Sequence, residues 1–278
     1  MSAVVEVVVM IRKMSLPLIL VALAVAAWAA DGVNFSYRFQ PGAAERHRVK
    51  VNTEADFGGM AMSQVADLEV SVKCVSAAEG RNVMQLTVDK ADMSRTMFGN
   101  MEKDPTGEML VGHAISFVVD GHGKVDEVAP VGYFEGWDQI KRFIDPVIKN
   151  WYVHLPGEVV AVGGEWTHDP PKETDESGVE VTSHSVYKFK EMKKDKGRDL
   201  AQVSVDVENT MGGKSTTPAG VYDVDGKGKG KYEFSFDPAT GAVAKFKGSI
   251  DVDMNLTPQT GGDPVATVMG YTIERELL

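Results

Sequence analysis

The sequence predicts a mainly β protein built around one large, curled antiparallel sheet, either a half-barrel or two related β halves. Three observations carry that expectation. Apolar and polar residues take turns along most of the chain beyond residue 30, Asp…Gly turns punctuate the alternation, and a single stretch shows helical spacing instead. Strict alternation leaves each strand one wet face and one dry face, which is antiparallel behaviour. A sheet of about a dozen such strands around one core has to twist and curl.

The chain opens on a leader. Arg12 and Lys13 precede the apolar run Leu16–Trp28, and Ala27-Trp28-Ala29 places small residues around an A-x-A cleavage site. The run is short for a bilayer span of about 20 residues, so residues 1–29 are expected to be a cleaved signal peptide, with translation starting at Met1, Met10 or Met14. The mature protein is then exported, to a periplasmic or extracellular site.

Beyond the leader, Phe35, Tyr37 and Phe39 alternate with Ser36 and Arg38, which predicts a first strand. Leu68, Val70, Val72 and Cys74 repeat the pattern, as do Met84, Leu86 and Val88. Met93, Met97 and Met101 recur every four residues, the spacing of an apolar helix face or a flap; soft thioethers also suit Cu(I), but no histidine or cysteine joins the row. Asp120-Gly121-His122-Gly123 then separates Ile115–Val119 from Lys124–Val128, with Asp opening the turn and Gly supplying a positive φ.

Between Gly132 and Leu155 the rhythm changes. Phe134, Trp137, Ile140, Phe143, Ile144, Val147, Ile148 and Trp151 fall at helical spacing, and Asp145-Pro146 interrupts them. Proline suits the first turn of a helix, with Asp145 as its N-cap, so a pair of short helices meeting at an angle is expected around 134–151.

Alternation then resumes. Val203, Val205 and Val207 are followed by Gly226-Lys227-Gly228-Lys229-Gly230-Lys231, whose glycines share a phase with Tyr232, Phe234 and Phe236. A second hairpin turns at Asp237–Gly241, and Ile250, Val252, Met254 and Leu256 make a last dry face. The two Asp…Gly hairpins resemble each other and suggest a weak internal duplication. The organisation read from these marks is a leader at 1–29, a first β half at 30–160 that includes the helices, and a second at 161–278, forming one continuous domain.

Composition narrows the function. A net charge of -11 argues against nucleic acid and anionic membrane surfaces as partners. One cysteine, Cys74, allows no internal disulfide, and its apolar phase makes it a small buried hydrophobe, so no disulfide-linked partner is expected. The histidines form no metal-ligand pair, and His122 and His184 read as solvated. Asp223-Val224-Asp225-Gly226 starts like a calcium loop, but Phe234 stands where its last acidic ligand belongs. No serine elbow or phosphate loop is present, and no cofactor is expected.

Tyr37-Arg38-Phe39-Gln40-Pro41-Gly42, Leu155-Pro156 with Val162-Gly163-Gly164-Glu165-Trp166, and Gly226–Gly230 running through Asp237 to Gly241 together resemble an uncharacterised family of exported bacterial β proteins. That family implies export and a β-rich fold and supplies no activity or site. At the level of fold alone, a signal peptide, a curled sheet and a helix across it are similar to periplasmic half-barrel lipoprotein carriers.

The candidate ligand-binding residues are Gly226, Gly228, Gly230, Trp137, Phe143 and Trp151. Three glycines in a row thin the dry face of a strand, so something must come close there. Either the aromatic helices pack into that trough or an apolar ligand does. The lysines opposite read as a solvated sheet edge that resists aggregation. The function expected is that of an exported, non-catalytic protein binding a lipid or another hydrophobic small molecule inside a curved sheet. The alternatives are an envelope structural or interaction module with a filled core, and an enzyme of unrecognised type.

Overall fold

The computed structural model describes residues 32–278, apart from 79, 175–177 and 218–219 and from the side chains of residues 139, 142, 143, 146 and 217. The expected leader, and the side chain of Phe143, lie outside the described residues.

The first half runs β1 (Val33–Asn34), β2 (Ala44–Phe57), β3 (Met60–Ala78), β4 (Arg81–Met97), β5 (Asn100–Lys103), α1 (Thr106–Leu110), β6 (Ala114–Val119), β7 (Val125–Pro130) and α2 (Trp137–Lys149). The second runs β8 (Val159–Val160), β9 (Glu165–His168), β10 (Glu173–Thr174), β11 (Val179–Asp195), β12 (Arg198–Thr217), β13 (Gly220–Asp237), β14 (Ala242–Pro258) and β15 (Val265–Leu277). Apart from the short β1–β8 ladder, these strands form one 13-stranded sheet in the order β10-β11-β12-β13-β14-β15-β2-β3-β4-β6-β7, with β5 added to β4 and β9 to β11. The strand pairs are antiparallel. The strands of the two halves join where β15 pairs with β2, from Thr267↔Phe57 to Leu277↔His47. The sheet curls without closing into a barrel.

Alternation translates directly into two faces. On β3, Ala66, Leu68, Val70, Val72 and Cys74 are buried while Glu69 and Asp67 point out. On β13 the even residues face in and Lys227, Lys229, Lys231 and Glu233 face out. Register shifts at Glu69/Val70, Cys74/Ser76, Phe189/Glu191 and Ser235/Phe236 insert extra residues, and such bulges increase local twist. Both predicted turns form. Asp120 Oδ1 accepts from the N–H groups of His122 and Lys124 at 2.9 Å each, and Asp237 Oδ1 accepts from Ala239 N–H at 2.9 Å. Gly123 and Gly241 close them at φ +96 and +70.

The inner face is covered at one end by two segments. The chain leaves the sheet at β7, crosses as Val131–Gly164, and re-enters at the opposite side as β9, with residues 33–40 running beside it. Under the first half of this cover, Ile140, Ile144, Ile148 and Trp151 pack on Val70, Leu86, Ile115 and Phe117. Under the second, Phe35, Val153, Leu155 and Trp166 pack on Phe189, Val203, Phe234 and Phe236. Phe35 is fully buried, its ring 5.1–5.3 Å from those of Trp166, Phe189 and Phe236.

Three expectations need correction. Phe35–Phe39 is an extended strap and not a strand of the large sheet; its backbone bonds go to the crossing segment and a turn, with Phe35 N–H donating to Glu158 O and Arg38 N–H to Gly241 O. The helical stretch is a single helix, α2, that continues through Pro146. Proline falls in its last turn, where one lost bond is outweighed by the continuous buried stripe Ile140–Ile144–Ile148. Met93 and Met97 share one face of β4, whose period of two also puts residues four apart together, whereas Met101 lies across the turn on β5, pairs with Thr96 and faces the other side.

Candidate functional site

The strand register lays the inner face out as rows that cross the sheet. The row at Arg275 runs Val203, Phe234, Phe246, Arg275, Val49, Leu68 and Ala91 from β12 to β4, and lies under the cover. Next comes Val205, Tyr232, Gly248, Ile273, Val51, Ala66 and Met93, then Val207, Gly230, Ile250, Tyr271, Thr53, Gln64 and Arg95. A fourth row, Asn209, Gly228, Val252, Met269, Ala55, Met62 and Met97, is nearly all apolar. From β13 to β4 this band crosses five strand spacings, about 24 Å. Ile250, Met254, Leu256, Met269, Tyr271 and Ile273 are only half-buried, although they face the same side as the core. Exposed apolar residues continue the band at its margin: Met60, Met62 and Phe98, the last 73% exposed.

Gly226, Gly228 and Gly230 sit within this uncovered half, on β13. Neighbouring strands lean over them. A Cβ on Gly226 would meet Met254 at 3.2 Å, one on Gly228 would meet Val252 at 3.3 Å and Met211 at 3.5 Å, and one on Gly230 would meet Ile250 at 3.3 Å. The trough is therefore partly filled from within the sheet, by β12 and β14, and not by α2. Trp151 is buried and Trp137 half-buried, both in the cluster of the first half. The structure does not bring the glycines and tryptophans together; they occupy opposite parts of the inner face. The lysine row is also not at an edge. β13 is flanked by β12 and β14, and Lys227, Lys229 and Lys231 stand beside Asp253, Asp251 and Asp206, so the row balances acidic neighbours on the outer face. Asp223–Gly226 lies mid-strand and forms no loop.

Sequence reasoning missed a polar group under the cover. Arg275, 7% exposed, lies at the base of a cleft of about 60 Å³ walled by Tyr37, Phe39, His47, Cys74, Trp151 and Tyr152. One guanidinium nitrogen donates to Trp151 O, and the group stacks on the Trp151 ring at 4.7 Å, but its Nε has no partner. Burial lowers its proton affinity. Burial likewise raises the pKa of the Tyr37 and Tyr152 phenols, so both stay protonated. His47, 2% exposed, meets Glu45 through Nε2 at 3.2 Å while its Nδ1 is unpaired, and burial pushes its pKa down. The signal was available: Arg275 continues the inward phase of Tyr271 and Ile273, whereas Glu274 and Glu276 face out.

A row of histidines lies at the end of the same cover. His154 stacks on His168 at 3.7 Å and lies 5.8 Å from His122, whose Nδ1 donates to Leu155 O at 2.9 Å. His122 is exposed, as expected, although its ring is tied to Leu155, and His184 is exposed and pairs with Asp169. Desolvation, then the neighbouring imidazoles, lower the His154 pKa to about 4. Among the described residues no cluster of His, Cys, Asp and Glu is arranged to hold a metal ion.

No family model matches the chain, and no curated protein matches it. Among solved structures, the chain is similar to lipovitellin, in a structure described as "Lipid-protein interactions in lipovitellin". The TM-score is 0.52 at 12% identity, over 87% of this chain and 25% of that one. The chain thus spans about a quarter of the length of the lipovitellin chain. At that identity the likeness is one of fold: a large antiparallel sheet shared with part of lipovitellin.

Proposed function

We propose that the protein is an exported, non-catalytic binder of lipid, which it holds on the uncovered half of the inner face of its sheet. One observation carries this reading. Ile250, Met254, Met269, Tyr271 and Ile273 form a half-buried apolar surface in the middle of the sheet, beside a core that the same strands bury completely. Contiguous apolar surface of that kind marks binding sites. Methionines in the band suit a ligand without fixed shape, because the thioether chain adapts to irregular contacts. Fold similarity to lipovitellin, a protein described through its lipid interactions, supports the same class of ligand. Gly226, Gly228 and Gly230 keep the floor low beneath the ligand, and Trp137, Phe143 and Trp151 belong to the element that covers the far half.

Native mass spectrometry and organic extraction of the purified full chain test the proposal. Lipid should co-purify, and its amount should fall when Gly228→Leu raises the floor. A folded protein that retains no lipid, and takes up none from phosphatidylcholine vesicles, contradicts it. That outcome would favour the second reading, an envelope structural module with a filled interior, for which the leaning of Met254, Val252 and Ile250 over the glycines speaks.

A further inference from the structure

The geometry points to Arg275 as a receptor for the acidic head group, carboxylate or phosphate, of an amphiphile, held in the cleft beside the guanidinium. The inference rests on the lipid-binding reading and adds to it a head-group site.

A buried guanidinium is held in place here without a counter-ion. Among the described residues Arg275 makes no ion pair, and the closest carboxylate system, Glu45, bonds to His47. Burying a cation without an anion is costly, and a single carbonyl and two aromatic faces offset only part of that cost. Guanidinium presents five donors in a fork suited to carboxylate and phosphate oxygens, and the unpartnered Nε belongs to that fork. The cleft beside it has room for a head group and little more. Another polar wall that can donate is the Tyr152 phenol. Glu45 opposes an anion, but it lies at the exposed mouth with 44% of its side chain accessible.

The sheet residues that wall this cleft, His47, Glu45, Val72 and Cys74, lie on the Leu277 side of Arg275, under the strap residues Tyr37 and Phe39. A polar group fixed at one end of an apolar ligand sets its orientation.

The test compares palmitate, hexadecyl phosphate and the uncharged methyl palmitate, titrated into wild-type full-length protein and into Arg275→Met and Arg275→Lys. Wild type should bind at least one of the two acidic probes roughly tenfold or more tighter than the ester. Arg275→Met should reduce that probe to the level of the ester and leave the ester unchanged, while Arg275→Lys keeps part of the preference. Which acidic probe gains more tells carboxylate from phosphate. In wild type, the Arg275 Nε–H resonance should shift with the acidic probe and not with the ester, a readout independent of how the variants fold. Equal binding of all three probes, or an unmoved Nε–H resonance, overturns the head-group site while lipid binding stands. Failure of every probe to bind overturns the lipid-binding reading itself.

Discussion

The two ends of the inner face are made by the same strands with the same alternation, yet one is a finished core and the other a surface. On β13, Phe234 and Phe236 are buried by the strap and the crossing segment. Ten residues or fewer before them, the same phase is occupied by glycines, with half-buried Ile250 and Met254 opposite. Alternation determines which face of a strand is dry. It does not determine what keeps it dry, and the strap, the crossing segment and a ligand are alternative answers to that need.

The contrast can be broken most sharply by truncation. Phe35→Ala removes a ring locked among three others and should cost about 3–5 kcal/mol in denaturant unfolding. Ile250→Ala, on the half-buried strip, should cost only about 1 kcal/mol. Equal costs would mean that both ends are core.

Glycines extend the comparison. An alanine at Gly248 would place its Cβ 1.8 Å from the Tyr232 ring, so Gly248→Ala should destabilise by about 1–3 kcal/mol. Gly228→Ala meets only side-chain atoms at 3.3–3.5 Å and should stay within about 0.5 kcal/mol of wild type. A large loss at Gly228 would show that the trough is tightly filled.

Titration distinguishes the cover from the open strip. The His154 pKa falls from 6.5 to about 4 in the folded state, so its neutral form is favoured by folding. Its contribution to stability is therefore complete above pH 6.5 and is lost as the pH drops toward 4. Unfolding midpoints should decline over that window, and less steeply in His154→Gln. A His154 resonance titrating near 6.5 would contradict the burial described here. The smallest effect is expected on the outer face, where the exposed Arg81–Glu127 pair should be replaceable by Arg81→Ala with no measurable change in melting temperature.

Much of the fold was legible in the residues. Runs such as Leu68–Cys74 and Val203–Val207 identify strands, and Asp120…Gly123 and Asp237…Gly241 identify both hairpin turns, because each pattern has one cheap backbone solution. Phe35–Phe39 reads as a strand because an extended segment tied to a crossing loop alternates as a strand does. Pro146 reads as a break because its cost is visible in the sequence, while the buried stripe that overrides it depends on what lies opposite. The candidate site was legible in part. The glycine row marked the thin part of the floor, but its partners come from β12 and β14, which register alone reveals. Arg275 is not distinctive in the sequence, because one inward cation in an outward-charged strand has meaning only once the phase of β15 is known.

The central claim is that lipid occupies the uncovered half and spares the covered one. Stearate carrying a nitroxide near its tail, added to the methyl-labelled full chain, measures this directly by paramagnetic broadening. Signals of Ile250, Met254 and Met269 should broaden, while those of Ile115, Leu86 and Val203 stay sharp. Broadening confined to Met60, Met62 and Met101, or absent altogether, would contradict the account.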